Sequence, residues 1–109
     1  MGVRACTSHL SVTGSPDQNA TNEAQCRELT EVLRGERHQP TIFGGDVNRQ
    51  TTCAPPGAWT ERDEEAAQTP GIQHVYGTRG WFVEPQDEVL PMIFTDHDAL
   101  LVRAQRRTG

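Results

Sequence analysis

Three short stretches of the 109-residue chain carry side chains able to act together on a substrate. Thr7-Ser8-His9-Leu10-Ser11 offers an imidazole. Gly44-Gly45-Asp46-Val47-Asn48 offers a carboxylate and, two residues on, an amide. Thr95-Asp96-His97 offers a second carboxylate and a second imidazole. A carboxylate can draw a proton from water, an amide can hold a substrate oxygen, and imidazoles can donate to charge that develops in a transition state. Together they suit the cleavage of a phosphate ester, in which water must become nucleophilic and the phosphoryl oxygens must be neutralised. Each stretch also has a plainer reading. Asp46 and Asn48 behind two glycines fit an ordinary turn, His9 a half-buried strand position, and Asp96-His97-Asp98 a solvated loop or a helix-cap-like turn. His38, just ahead of Pro40, reads as solvent-exposed, and His74 as facing away from Gln73 across its strand.

The elements that would position these residues follow from periodicity and punctuation. Residues 3–10 alternate weakly and predict a strand. Gly14, Ser15, Pro16 and Asp17 then form a loop. A helix over 22–34 follows, capped by Asn19 or Thr21, with Cys26, Leu29, Val32 and Leu33 on one stripe and Gly35 as its stop. Thr41-Ile42-Phe43 predicts a buried strand that opens, past Gly44 and Gly45, into the loop bearing Asp46. This is where α/β proteins commonly place reactive side chains. Residues 49–71 are polar and rich in Pro and Gly, with a short helix near 61–67. Strands are expected over 72–76, 81–83 and 99–102, a connection over 87–92, and a frayed tail at Arg106-Arg107. The aromatic group Tyr76, Trp81 and Phe82 is read as packing.

In their order, with the helix Ala24-Gln25-Cys26-x-x-Leu29 between the first two, the three motifs resemble the endonuclease/exonuclease/phosphatase superfamily, also called DNase I-like. There the run reads T-H-L, a Gln-containing helix, G-D-F-N, then S-D-H. The resemblance covers essentially the whole chain, 1–109 as a single domain, but only the C-terminal half of the family's domain. It implies an α/β (α+β) fold: half of a four-layer α/β/β/α sandwich, one mixed β-sheet with helices on one face. It implies a metal-dependent phosphoric-ester hydrolase, of phosphodiesterase, nuclease or phosphatase type. Carried over, Asp46 resembles the water-activating carboxylate and Asn48 the amide that positions phosphate or water. His9 and His97 resemble the two transition-state donors, and Asp96 a carboxylate in or beside a Mg²⁺ site that can also take Mn²⁺. Gln73 is expected to touch substrate. It stands where the family carries an Asp that pairs with the motif's histidine, and an amide cannot stabilise an imidazolium by charge. The family's principal metal-binding Glu belongs to the other half. Truncation and this Gln therefore imply lowered activity. The alternative is a non-hydrolytic relative: a binding or assembly module, or repurposed His/Asp acid–base chemistry.

Composition bounds the partners. The net charge is −5, whereas nucleic-acid binders usually carry a basic footprint. A small phosphate-ester substrate is favoured over nucleic acid. All ten basic residues are Arg and none is Lys, which points to a GC-rich, actinobacterial-type coding sequence. A half-sandwich exposes an apolar sheet face that monomers avoid, so a homodimer or a complementing N-terminal half is expected. No apolar run is long enough to span a membrane, and no signal peptide is visible, which makes the cytoplasm the default location. Cys6, Cys26 and Cys53 form no C-x-x-C pair. Cys6 and Cys26 can meet if strand and helix pack face to face, but small buried hydrophobes are the favoured reading.

Overall fold

The computed structural model describes residues 2–108. The chain runs β1 (Arg4–Cys6), α1 (Pro16–Gly35), β2 (Thr41–Asp46), β3 (Ala58–Arg62), β4 (Gln73–Thr78), β5 (Phe82–Leu90) and β6 (Ala99–Arg106). Four strands form a mixed sheet in the order β1-β2-β4-β3, parallel between β1 and β2 and antiparallel elsewhere. β5 and β6 form a separate antiparallel hairpin. The fold is therefore α+β, with one mixed sheet and one helix.

α1 begins earlier than its apolar stripe suggests. Ser15 is the N-cap, its Oγ accepting from the Gln18 amide at 3.2 Å. Pro16 takes the first turn, where its missing N–H costs nothing, and Asp17 faces the positive helix end. The expected loop formers are thus the helix start, and Asn19 and Thr21 lie inside the helix. Asn22, Cys26, Leu29 and Leu33 are the buried face, while Val32, expected on that stripe, is exposed.

That face packs on Leu10, Phe43, Val47, Cys53 and Tyr76. Phe43 stacks on Tyr76 with ring centroids 5.0 Å apart. His74, fully buried beside them, is satisfied at both nitrogens: Nε2 lies 2.9 Å from the Gly71 carbonyl and Nδ1 2.6 Å from the Tyr76 hydroxyl. A carbonyl only accepts, so Nε2 carries the proton and Nδ1 accepts from Tyr76. The Tyr76 oxygen in turn accepts the Cys53 amide at 2.9 Å.

Three expectations are corrected. Residues 58–62 form β3 where a short helix near 61–67 was expected; full antiparallel pairing with β4 overrides the polar composition. β5 runs unbroken through 82–90, where a short strand and a connection were expected. Pro85 falls within the register irregularity between Val83 and Gln86, which absorbs its missing donor. Arg106 pairs with Phe82, and the Arg107 amide donates to Trp81 O at 2.8 Å, so the tail is part of the sheet.

The hairpin meets the four-stranded sheet at β3. Trp59 Nε1 donates to Phe82 O at 3.3 Å, and its ring lies over Gly77, where a Cβ would come within 2.1 Å of the indole. Partial burial, a hydrogen bond with the Asp87 carboxyl and the nearby Asp87 and Glu64 charges push Glu61 up to about 7. Among the described residues no helix is long and apolar enough to cross a membrane.

Cys26 and Cys53 form a disulfide, 27 residues apart, and Cys6 is the free thiol. The Cys6–Cys26 pairing and the reading of all three as inert hydrophobes are both replaced. Unreduced protein should alkylate once, at Cys6. Reduction should expose three thiols and lower the unfolding free energy by about 3–4 kcal/mol, as chain entropy gives for a loop of this length, measured by urea denaturation.

Two titrations oppose each other. Burial lowers His74 from its ordinary 6.5, so its neutral form adds stability above 6.5 that is lost as pH falls further. Glu61 is raised from 4.5, so its protonated form adds stability below 4.5 that is lost as pH rises through about 7. In the parent the two slopes therefore oppose each other, that of Glu61 falling between 4.5 and about 7 and that of His74 rising as pH approaches 6.5. Glu61→Gln should remove the falling slope and leave a Tm that rises with pH toward 6.5, the direction His74 alone gives. A flat Glu61→Gln profile would contradict the assignment.

Candidate active site

Side chains alternate across the sheet, so Phe43 and Tyr76 face α1 while Ile42, Gly44 and Asp46 face the other way. Asp46 is the last residue of β2 and pairs in register with Gln73. Its carboxylate is the meeting point of three chain segments. Oδ2 lies 3.4 Å from His9 Nε2 and 3.5 Å from His97 Nε2. Oδ1 accepts the Asn48 amide at 2.9 Å, closing an Asx turn that holds Asn48 at φ +51°. Asn tolerates this left-handed backbone better than other non-glycine residues. Both imidazole contacts are longer than a direct N–H···O bond, about 2.9 Å.

His9 comes from the segment that continues past β1. That segment runs along β2: Leu10 N donates to Asp46 O at 3.0 Å and Asn48 Nδ2 donates to Leu10 O at 2.8 Å. The His9 side chain is 70% exposed, against 14% for Asp46. Gly45 makes this approach feasible, since a Cβ there would sit 2.2 Å from the Ser8 carbonyl oxygen. His97 comes from the loop joining β5 to β6. Its Nδ1 lies 3.4 Å from Thr69 Oγ1, and Thr69 holds an unusual φ of +43°.

The sequence-expected residues divide accordingly. His9, Asp46 and His97 converge, with Asn48 braced against them. Its side-chain amide is turned to the Leu10 carbonyl. Asp96 is 83% exposed, 3.7 Å from His97 Nε2. It lines an open cleft of about 540 Å³ with Glu65, Gln68, Met92 and Asp98. Gln73 is directed elsewhere: Nε2 donates to Asp63 Oδ2 at 2.8 Å and to the Asp98 carbonyl at 2.7 Å. Its backbone N–H donates to Asp63 Oδ1 at 3.0 Å.

Asp63, fully buried, was not singled out in the sequence. Within Arg62-Asp63-Glu64-Glu65 it reads as surface charge; the one available signal was that β4 offers an amide, Gln73, where a buried carboxylate needs donors. Thr69 and Asn22 also escaped notice, since polar residues in a turn and on a helix carry no pattern.

Among the described residues no group of three or more His, Cys, Asp and Glu is arranged to hold a metal ion. Mg²⁺, however, commonly takes only one or two protein carboxylates and completes its shell with phosphate oxygens and water. The open oxygens of Asp96 suit that role.

Neither family models, nor curated proteins, nor solved structures yield a match to this chain.

Gly45→Ala should force Ser8 off β2. The expected cost is about 1–3 kcal/mol, read by chemical denaturation, with the His9 segment the first to lose hydrogen-exchange protection. Unchanged stability and protection would refute the close-approach account.

Proposed function

We propose that the chain carries one side of a metal-dependent phosphoric-ester hydrolase site of the endonuclease/exonuclease/phosphatase type. The observation that carries this reading is the convergence of His9 and His97, 88 residues apart in sequence, on the Oδ2 of Asp46. In the proposed mechanism Asp46 accepts a proton from the attacking water. His9 and His97 donate from two sides to the phosphoryl oxygens as negative charge builds there. Asn48 keeps the Asp46 carboxylate oriented through its backbone amide. Mg²⁺, or Mn²⁺ in its place, would be held by Asp96 and would neutralise phosphoryl charge.

The acidic chain supports a small phosphodiester or phosphomonoester over duplex nucleic acid. The finer fold assignment, half of a four-layer sandwich, belongs to the same proposal. It is supported by a sheet with its helix on one face and its site residues on the other. A second copy in a homodimer, or a complementing N-terminal half, would cover that second face. The Cys26–Cys53 disulfide favours an oxidising compartment over the cytoplasmic default.

One observation favours a second reading. Gln73 is committed to Asp63 and the Asp98 carbonyl, and the contact at His97 Nδ1 is the Thr69 hydroxyl. That arrangement suits metal-free acid–base chemistry by the two imidazoles.

Bis(p-nitrophenyl) phosphate distinguishes the two. Under the first, hydrolysis requires Mg²⁺ or Mn²⁺ and falls at least about 100-fold in Asp46→Ala. Activity that survives EDTA but is lost in His9→Ala and His97→Ala would replace it with the second.

A further inference from the structure

The segment bearing His9 and the turn bearing Asp46 are joined by a side chain that belongs to neither. Asn22 lies in the second turn of α1 and is 2% exposed. Its two amide hydrogens serve different segments. Nδ2 donates to the Ser11 carbonyl at 2.8 Å, two residues past His9, and to the Val47 carbonyl at 2.9 Å, next to Asp46. Its Oδ1 accepts Arg49 Nη1 at 3.2 Å, and this cationic donor fixes which end of the amide is oxygen. Arg49 is held in turn by Glu23 Oε2 at 2.9 Å and by Thr51. The guanidinium keeps the Glu23 carboxyl below its usual range. Three residues along the helix, Gln25 Oε1 accepts the Ser11 amide at 2.7 Å, so the Ser11 peptide is gripped on both sides.

We propose that Asn22 is a positioning residue that sets the separation of His9 from Asp46, through the paired bonds of its amide to Ser11 O and Val47 O. The inference rests on the phosphoesterase reading for its catalytic consequence, but its geometric content stands apart from it. No other side chain type meets the requirement. Asp has the shape but no N–H, Ala leaves two buried carbonyls unpaired, and Gln carries its amide one methylene too far. The device does not touch the segment that carries His97. His97 arrives on the β5–β6 loop, beside Thr69, and that loop is braced by Asp98, whose carboxylate accepts the Met92 and Ala67 amides. None of these bonds passes through Asn22.

The test uses Asn22→Ala and the near-isosteric Asn22→Asp, which retains a partner for Arg49 if alanine does not fold. At one fixed pH, NMR should find the His9 ring resonances displaced in both variants and those of His97 and His38 in place. With bis(p-nitrophenyl) phosphate, kcat should fall by about 10- to 100-fold with KM within about twofold, the scale of a misplaced reacting group. In a His9→Ala background Asn22→Ala should add a clearly smaller fractional loss. His9 resonances unmoved in both variants, His9 and His97 displaced alike (as unfolding would do), or an equal fractional loss with and without His9 would each overturn the proposal. If the parent hydrolyses nothing, the phosphoesterase reading fails by itself and the ring resonances alone decide the role of Asn22.

Discussion

The site depends on how closely the chain leaving β1 can lie against β2. Regular pairing ends at Cys6↔Phe43, yet the two backbones stay together for four more residues. Gly45 has no side chain to hold Ser8 away, Thr7 Oγ1 donates to Gly44 O at 2.6 Å, and Leu10 N reaches Asp46 O. These contacts place an imidazole opposite a carboxylate that lies 37 residues further along the chain. α1 then has a double task. Its apolar face covers Phe43 and Tyr76, and its one buried polar residue joins the two backbones where they leave the sheet.

Much of this was legible in the residues, and the failures have physical causes. The β1–α1–β2 order and the place of Asp46 at the end of β2 follow from short β-branched runs and an amphipathic stripe, whereas β1 stops at Cys6, short of the expected strand over 3–10 that included His9. β3 was not legible, because Ala58-Trp59-Thr60-Glu61-Arg62 has no alternation of its own. Its extended state is conferred by β4, which lies ahead in the sequence, and by the Trp59 ring over Gly77. The start of α1 was obscured because Ser15-Pro16-Asp17 is equally good turn chemistry. β5 carries Pro85, a residue that ordinarily interrupts a strand, and a bulge accommodates it. Disulfide partners are a property of tertiary packing, and spacing among three cysteines says little about it.

Gln73 shows most clearly how one buried group redirects another. The resemblance noted in the sequence implies an amide standing in for a carboxylate next to His97. In the fold, Asp63 lies beside the start of β4 and, fully out of water, takes both the Gln73 backbone and side-chain donors. An ionised carboxylate in such a place requires close hydrogen-bond donors, and Gln73 meets that need. The orientation of His97 consequently falls to the Thr69 hydroxyl, carried by a backbone conformation that a β-branched residue seldom adopts.

The disulfide also has a topological consequence. Joining Cys26 to Cys53 closes a covalent ring that contains the later turns of α1, all of β2, and both Asp46 and Asn48. Two open arms leave that ring, one from each cysteine. His9 lies on the first and His97 on the second. The carboxylate is thus part of a closed circuit, while His9 and His97 reach it from outside the ring. A single backbone cut within the ring would leave one covalent molecule, whereas a cut in either arm would release the histidine beyond it.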